Sequence, residues 1–269
     1  MKKERLDTLL VERNLIDTRE KAKRLIMAGQ VYSENNRLDK AGTKYKIDIP
    51  LNVKGKLPFV SRGGLKLEKA LNEFNISVKD KIIVDIGAST GGFSDCALQN
   101  GAQLIYAIDV GYNQLDWKIR SDNRVIVMEK TNFRYVTLDH FTKGIPEFAM
   151  IDVSFISLSL ILPVLKQILK EGSDVVTLIK PQFEAKKEEV GKKGIIRDPK
   201  IHEKVLLRVL DFIATSGYNI EELTFSPITG GEGNIEFIAH LSSKSPIKQS
   251  EINIKELVTE AHANLIKNN

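Results

Sequence analysis

The chain has 269 residues, 42% hydrophobic and 28% charged, enough for one large or two modest domains with real cores. No run approaches ~18 consecutive apolar residues, and Glu4 and Asp7 stand where a signal peptide would need its apolar region, so a cytoplasmic protein without membrane spans is expected. The single cysteine, Cys96, excludes an intramolecular disulfide, and the scattered His140, His202, His240 and His262 form no metal-ligand pattern, so no metal is expected.

Charge is unevenly placed. Residues 1–60 hold 14 Lys and Arg against 8 Asp and Glu, a net of +6, while the whole chain is +5. A compact basic segment ahead of a nearly neutral remainder suggests a polyanion-binding module, with a solvated surface as the alternative. Within it, Leu6, Leu9, Leu10 and Arg13 fall at helical spacing. Asp17 or Thr18 can cap a second helix whose inner face is Ala22, Leu25 and Ile26, with Gly29 ending it. Val31, the turn Asn35-Asn36 and Leu38 suggest a short hairpin, and Lys46 to Ile49 alternate as a strand would. Arg19 and Lys23 are four apart and share a face that can meet phosphates.

The run from Arg5-Leu6-Asp7 through Thr18-Arg19, Ala22, Ile26, Gly29 and Val31 to Lys40 resembles the S-four RNA-binding domain, over roughly residues 4–50. That resemblance implies binding of structured RNA by shape and backbone contacts. Its candidate RNA-contacting side chains are Arg5, Arg19, Lys23, Arg24 and, in the loop after the linker, Arg62.

Pro50 to Pro58 reads as a linker, with two prolines and a glycine. Ser61 to Gly64 is then a loop, and a helix starting at Leu65 buries Leu67, Leu71 and Phe74. The expected division is a small α+β domain with its linker over residues 1–58 and a second domain over 59–269.

The stretch Lys81 to Ala102 organises the second domain. A short apolar run, Ile82 to Val84, suits a buried strand, and Asp85 comes next. A loop holds Gly87, Gly91 and Gly92, and Phe93, Cys96 and Ala97 then fall on one helical face. Strand, glycine loop and helix together suit a nucleotide cofactor, because glycines let a ligand approach the backbone and the helix start offers free N–H donors. Ser89 stands where the dinucleotide fingerprint G-x-G-x-x-G needs its second glycine. The cofactor loop of S-adenosylmethionine (SAM) methyltransferases fits better, with any βα unit as the plain alternative. Asp85, Gly87, Ala88, Ser89, Thr90, Gly91, Gly92 and Phe93 are the candidate cofactor residues. Asp109, ending the next strand, can accept hydrogen bonds from ribose hydroxyls or merely cap the next helix, and Asn132 can serve an adenine edge.

Further strands are expected at 82–86, 104–109, 125–129, 148–152, 174–180, 220–226 and 234–241, with helices including 157–170, 200–216 and 252–267. This alternation predicts an α/β domain of seven strands, mainly parallel, with helices on both faces. The loop SPITGGEGN between the last two strands predicts antiparallel pairing there, an ending shared by the SAM methyltransferase fold.

Four charged residues stand at element ends: Lys66, Asp152, Lys180 and Glu236. The C-terminal ends of parallel strands border the ligand crevice, so Asp152 and Lys180 should face the cleft of Gly87. Each alone is equally well a residue where the chain meets water. With the segments SRGGLKL, DIGASTGGF, IDVSFISL, IKPQFE and GNIEF, the second domain resembles the FtsJ-type ribose 2′-O-methyltransferases, and the whole chain resembles the TlyA family. The resemblance implies a Lys66–Asp152–Lys180–Glu236 reaction centre, SAM as cofactor, and cytidine ribose in ribosomal RNA, in one or both subunits, as the target. A ribose hydroxyl must lose its proton as it attacks the sulfonium methyl, and a neutral lysine can take it; Lys180 is the expected base, oriented by Asp152. Two rivals remain: an RNA-binding ribosome assembly factor on an inactive methyltransferase fold, and a haemolysin, a label TlyA members have carried.

Overall fold

A computed structural model of the chain describes residues 3–16, 18–34, 36–53, 58–230, 233–244 and 252–266. The backbone divides into two units, Met1–Arg62 and Gly63–Asn269. Asp17 and Asn35, expected at a cap and a turn, lie outside the described residues, as do residues 54–57 of the expected linker and 231–232 of the final loop.

The first unit holds β1 (Lys3–Arg5), α1 (Leu6–Glu12), α2 (Arg19–Met27), β2 (Val31–Ser33), β3 (Asn36–Arg37), β4 (Lys44–Lys46) and β5 (Asn52–Val53). The Thr18 side chain caps α2 by accepting from the Lys21 amide at 3.3 Å, satisfying one of the free donors of a helix start. Leu6, Leu10, Ala22, Leu25, Ile26, Val31 and Leu38 form one core, as their spacing predicts. The expected strand at Lys46 to Ile49 is displaced: β4 ends at Lys46, and Ile49 turns back to donate to the Lys46 carbonyl. Two strands escape the pattern. β1 pairs antiparallel with β4, and β5 lies inside the expected linker, pairing with β2. Segments of two or three residues are too short for alternation to show.

The second unit begins with α3 (Gly63–Glu73), β6 (Ile82–Ile86), α4 (Gly92–Gln99), β7 (Leu104–Ile108), α5 (Trp117–Arg120), β8 (Val125–Met128) and β9 (Phe148–Ile151). It continues with α6 (Leu162–Ile168), β10 (Asp174–Ile179), α7 (Pro181–Glu184), α8 (Pro199–Thr215), β11 (Asn219–Phe225), β12 (Phe237–Ser242) and α9 (Ile254–Leu265). The sheet order is β8-β7-β6-β9-β10-β12-β11. Its first five strands are parallel, and β12 runs antiparallel between β10 and β11. The expected helix at 157–170 is broken: a 3-10 turn at Leu158–Leu160 precedes α6, which carries Pro163 in its first turn, where a missing amide costs nothing.

Side chains alternate across the sheet. Val84, Ile86, Tyr106, Ile108, Ala149, Ile151, Val175 and Ile179 pack with Leu162 and Leu165 of α6, Val205 and Val209 of α8, and Val258 and Ala261 of α9. Their neighbours Ile83, Ile105, Ala107, Phe148 and Met150 are equally buried and point the other way. On that side Phe74, just past α3, stacks on His240 of β12, and α3 packs on α4. With both faces covered, the open ground is the edge where the parallel strands end. The chain runs outward from β6 to β8 and then returns to β9, so the strand order reverses between β6 and β9. A crevice forms at such a reversal.

Candidate active site

Sheet register brings three of the four charged residues together. Asp152 follows β9, Lys180 follows β10, and Glu236 precedes β12. Ile179 pairs with Phe237, so Lys180 and Glu236 lie side by side where the two antiparallel strands meet the crevice. Ile86 pairs with Ile151, which sets Gly87 beside Asp152. The fourth, Lys66, comes from the first turn of α3. That helix is anchored one turn later by Lys69, which donates to the Phe225 carbonyl at 2.7 Å and lies over the Phe225 ring.

The four side chains form one chain of ion pairs. Lys66 Nζ meets Glu236 Oε2 at 2.5 Å and Asp152 Oδ2 at 3.9 Å. Lys180 Nζ meets Asp152 Oδ1 at 2.5 Å and donates to Ser154 Oγ at 3.0 Å. Both lysine side chains are only 9% exposed and Glu236 is 3% exposed, whereas Asp152 is 21% exposed. Burial raises the Asp152 carboxyl, but the ammonium groups of Lys66 and Lys180 outweigh it and hold the group below the usual carboxylate range.

Asp152 also lines a cavity of about 320 Å³ with Gly87, Ser89, Asp109 and Asn132. Asp109 accepts from the Ser89 amide at 2.8 Å and the Gly111 amide at 2.7 Å. It therefore ties down the glycine loop, and each oxygen keeps a lone pair for a ligand hydroxyl. Asn132 caps the 3-10 turn Phe133–Tyr135 through the Arg134 amide.

Asp85, Ala88, Thr90, Gly91, Gly92 and Phe93 stand outside that lining. Asp85 has no exposed surface and accepts from the Ser94 hydroxyl at 2.6 Å, while its other oxygen has no hydrogen-bond partner. Burial pushes it up to about 7, against the Ser94 bond, and the Asp152 and Asp109 carboxylates add to the rise. Two loop glycines answer to the protein's own packing. A Cβ on Gly87, at φ 85°, would come within 2.6 Å of the Asp152 carbonyl oxygen. One on Gly91, at φ 92°, would come within 2.9 Å of Leu115. Packing from the strand and helix side thus demands glycine at both positions, independently of any ligand.

Sequence reading missed three groups in its own motifs. Ser154 is the second partner of Lys180. Phe155 lines the cavity at φ 62° and is 90% exposed, with its ring 4.8 Å from Phe183. Glu184 accepts from Ser157 Oγ at 2.6 Å and the Leu158 amide at 2.7 Å, which locks the loop after β9 to α7 after β10. The signal was their place within IDVSFISL and IKPQFE, a few residues past the two strand ends.

In the first unit, the candidate RNA residues are already partly engaged. Arg5 and Arg19 both pair with Asp7, Lys23 lies 3.6 Å from Glu20, and Arg24 bonds the Val60 carbonyl. Arg62 is half-buried at the end of this unit. A guanidinium has five donors, so Arg5 and Arg19 retain N–H groups for phosphate.

A doubly wound sheet with an antiparallel seventh strand, a glycine loop after its first strand in chain order and acidic residues at the strand ends defines the class: a Rossmann-like methyltransferase. Residues 59–243 match the FtsJ-like methyltransferase family, and residues 4–48 match the S4 domain. YqxC of Bacillus subtilis is 65% identical over 98% of this chain and 96% of its own. The 16S/23S rRNA (cytidine-2'-O)-methyltransferase TlyA of Mycobacterium tuberculosis is 36% identical over 96% of each chain. A solved structure from Streptococcus thermophilus is 55% identical, with a TM-score of 0.80, and covers 100% of this chain and 98% of that one. The chain belongs to the FtsJ-like methyltransferases that carry an S4 domain, the family of TlyA.

Proposed function

We propose that the protein transfers a methyl group from SAM to the 2′-hydroxyl of a cytidine ribose in ribosomal RNA. The observation that carries this reading is the buried ion-pair chain Glu236–Lys66–Asp152–Lys180 at the mouth of the Asp109 cavity. The cavity suits an adenosyl cofactor: Asp109 can accept from ribose hydroxyls, Asn132 can meet the base, and Gly87 and Ser89 of the glycine loop close one side. When bound, SAM supplies an activated methyl group on its sulfonium. The chain must then hold a ribose hydroxyl in line with that group and take its proton.

Lys180 is the base, taking the hydroxyl proton on Nζ after shedding its own. Asp152, at 2.5 Å, and Ser154, at 3.0 Å, fix where that nitrogen points. Glu236 holds Lys66 at 2.5 Å, and this pair positions the ribose. Phe155 offers an exposed ring beside the centre on which an unstacked base can rest. Residues 1–58 form the RNA-targeting domain with its linker, and Arg5, Arg19, Lys23, Arg24 and Arg62 meet RNA. Residues 59–269 form the catalytic domain. The TlyA relative, whose name specifies cytidine 2′-O-methylation, supports the target, and ribosomal RNA puts the work in the cytoplasm. The haemolysin reading gains nothing from the fold: no helix among the described residues is long and apolar enough to cross a membrane.

The test is transfer of labelled methyl from SAM to purified ribosomal subunits, followed by mass mapping of the modified nucleotide. The expected product is a 2′-O-methylcytidine that is absent from control subunits. A methyl group on a base, or no RNA-bound label, overturns the reading.

A further inference from the structure

We propose that Lys193 and Arg197, on the loop between α7 and α8, grip the sugar–phosphate backbone of the RNA next to the reaction centre. The inference rests on the functional reading above and adds an RNA contact belonging to the second unit itself. It begins from charges the fold leaves over. Glu189 is occupied by Lys204 at 2.6 Å and Arg208 at 3.1 Å. Asp198 is occupied by the Lys200 amide, which it caps at the start of α8. Lys193 and Arg197 are exposed, and neither has a carboxylate partner among the described residues. Both line an open cavity of about 440 Å³. From Lys186 to Asp198 the loop holds five Lys and Arg against three Asp and Glu, and Glu189 is neutralised by α8, so the loop presents net positive charge to whatever enters.

The loop is also held in place, and to the right segment. Lys193 sits at φ 63° in a turn closed by the Gly191 amide and the Ile195 carbonyl at 3.2 Å. The Asn234 side chain then clamps the turn from both sides: its Oδ1 accepts from the Ile196 amide at 3.1 Å, and its Nδ2 donates to the Gly194 carbonyl at 3.0 Å. Asn234 lies two residues before Glu236. The same short segment therefore carries a member of the ion-pair chain and the clamp on the two cations. The strand that presents its ribose to Lys180 must continue away from that point with one negative charge per nucleotide. A pair of cations fixed to the Glu236 segment is placed to meet it.

The test uses the full-length double variant K193A/R197A beside the wild-type protein. The readouts are RNA affinity from 50 to 300 mM salt, steady-state methylation of protein-free rRNA, and SAM affinity. Loss of two phosphate contacts should flatten the slope of log affinity against log salt by about 1.4–1.8, using ~0.7–0.9 per contact. KM for rRNA should rise about 5- to 30-fold, on the scale of two lost charge-assisted contacts, with kcat at saturating RNA and SAM affinity unchanged. The charge-preserving K193R/R197K variant should keep the wild-type slope. An unchanged slope and KM would overturn the inference. So would a defect seen with intact ribosomal subunits but absent with protein-free rRNA, because the partner would then be a ribosomal protein. The salt slope needs no turnover, so wild-type protein that binds RNA but transfers no methyl would count against the functional reading alone.

Discussion

In the first unit Asp7 has no exposed surface, and the side chains that pair with it, Arg5 and Arg19, are 41% and 49% exposed. In the second unit the order is inverted: Lys66 and Lys180 are 9% exposed, and Asp152 between them faces the cavity at 21%. Each cluster sets one carboxylate between two cations, with Glu236 added to the second, yet they are suited to different work. A buried carboxylate gripped by arginines is a latch, since arginine stays charged and its fork fixes geometry. Buried lysines under a carboxylate at a cavity mouth suit the reaction centre we propose, since lysine can give up a proton and accept another. Depth and cation type, more than the charge count, separate structure from chemistry.

The sharpest way to break that contrast is to make the second cluster resemble the first. Lys180→Arg keeps the positive charge but replaces the amine with a guanidinium, which does not give up its proton in proteins. If Lys180 is the base, the variant should lose at least about 10³-fold in single-turnover rate, nearly as much as Lys180→Ala, with SAM and RNA binding close to wild type. An active arginine variant would leave Lys180 only a positioning role.

Asp109 gives a smaller effect and a test of what the cavity holds. Asp109→Ala should weaken SAM binding by about 1.5–3 kcal/mol, the scale of charge-assisted hydrogen bonds. The structure adds a second cause, because the same carboxylate restrains the loop through the Ser89 and Gly111 amides. Isothermal titration with SAM and with adenosine separates the two. A loss confined to ligands bearing both ribose hydroxyls marks direct contact, and an equal loss for 2′-deoxyadenosine marks the loop. Unchanged SAM affinity removes Asp109 from the site.

Much of this was legible because the two halves of the problem are encoded differently. Strands from β6 to β10 are apolar runs followed by an acid, a glycine or a lysine, and the site sits where those runs stop. Asp152 could thus be placed beside Gly87 from the rule that parallel strands end at the crevice, whereas Lys180 reaches that point only through Asp152. Side-chain engagement was not legible. That Asp7 would occupy Arg5 and Arg19, that Asp85 would be sealed behind the loop, and that Gly91 would pack on Leu115 all depend on which residues meet across the fold. The expected strand over 234–241 shows the same limit. β12 starts only at Phe237, because Asn234 spends its side chain on the 194–196 turn and its carbonyl on the Gly230 amide. Helical and strand periodicity report burial, whereas clamps and latches are single long-range contacts with no period.

The smallest expected effect concerns the latch. Two arginine forks hold Asp7 ionised, lowering its pKa from 3.8 to about 2, with the Arg5 hydrogen bond the largest cause. The sign comes from linkage: a carboxylate depressed by folding contributes stability that is fully present above its unfolded value, near 4. That contribution is lost as pH falls through about 2. Asp7→Asn keeps the shape and removes the charge. Because both arginines are partly solvated, the loss at pH 7 should be about 1–2 kcal/mol rather than the full value of the shift. The difference between variant and wild type should close as pH drops from 4 towards 2. Hydrogen exchange of the α1 and α2 amides in the full chain reads this locally, with SAM affinity as the control that should not move. Equal exchange in both proteins at pH 7 would show that Asp7 is no latch. Arg5 and Arg19 would then be held for another reason, and the contrast with the Asp152 cluster would lose its structural half.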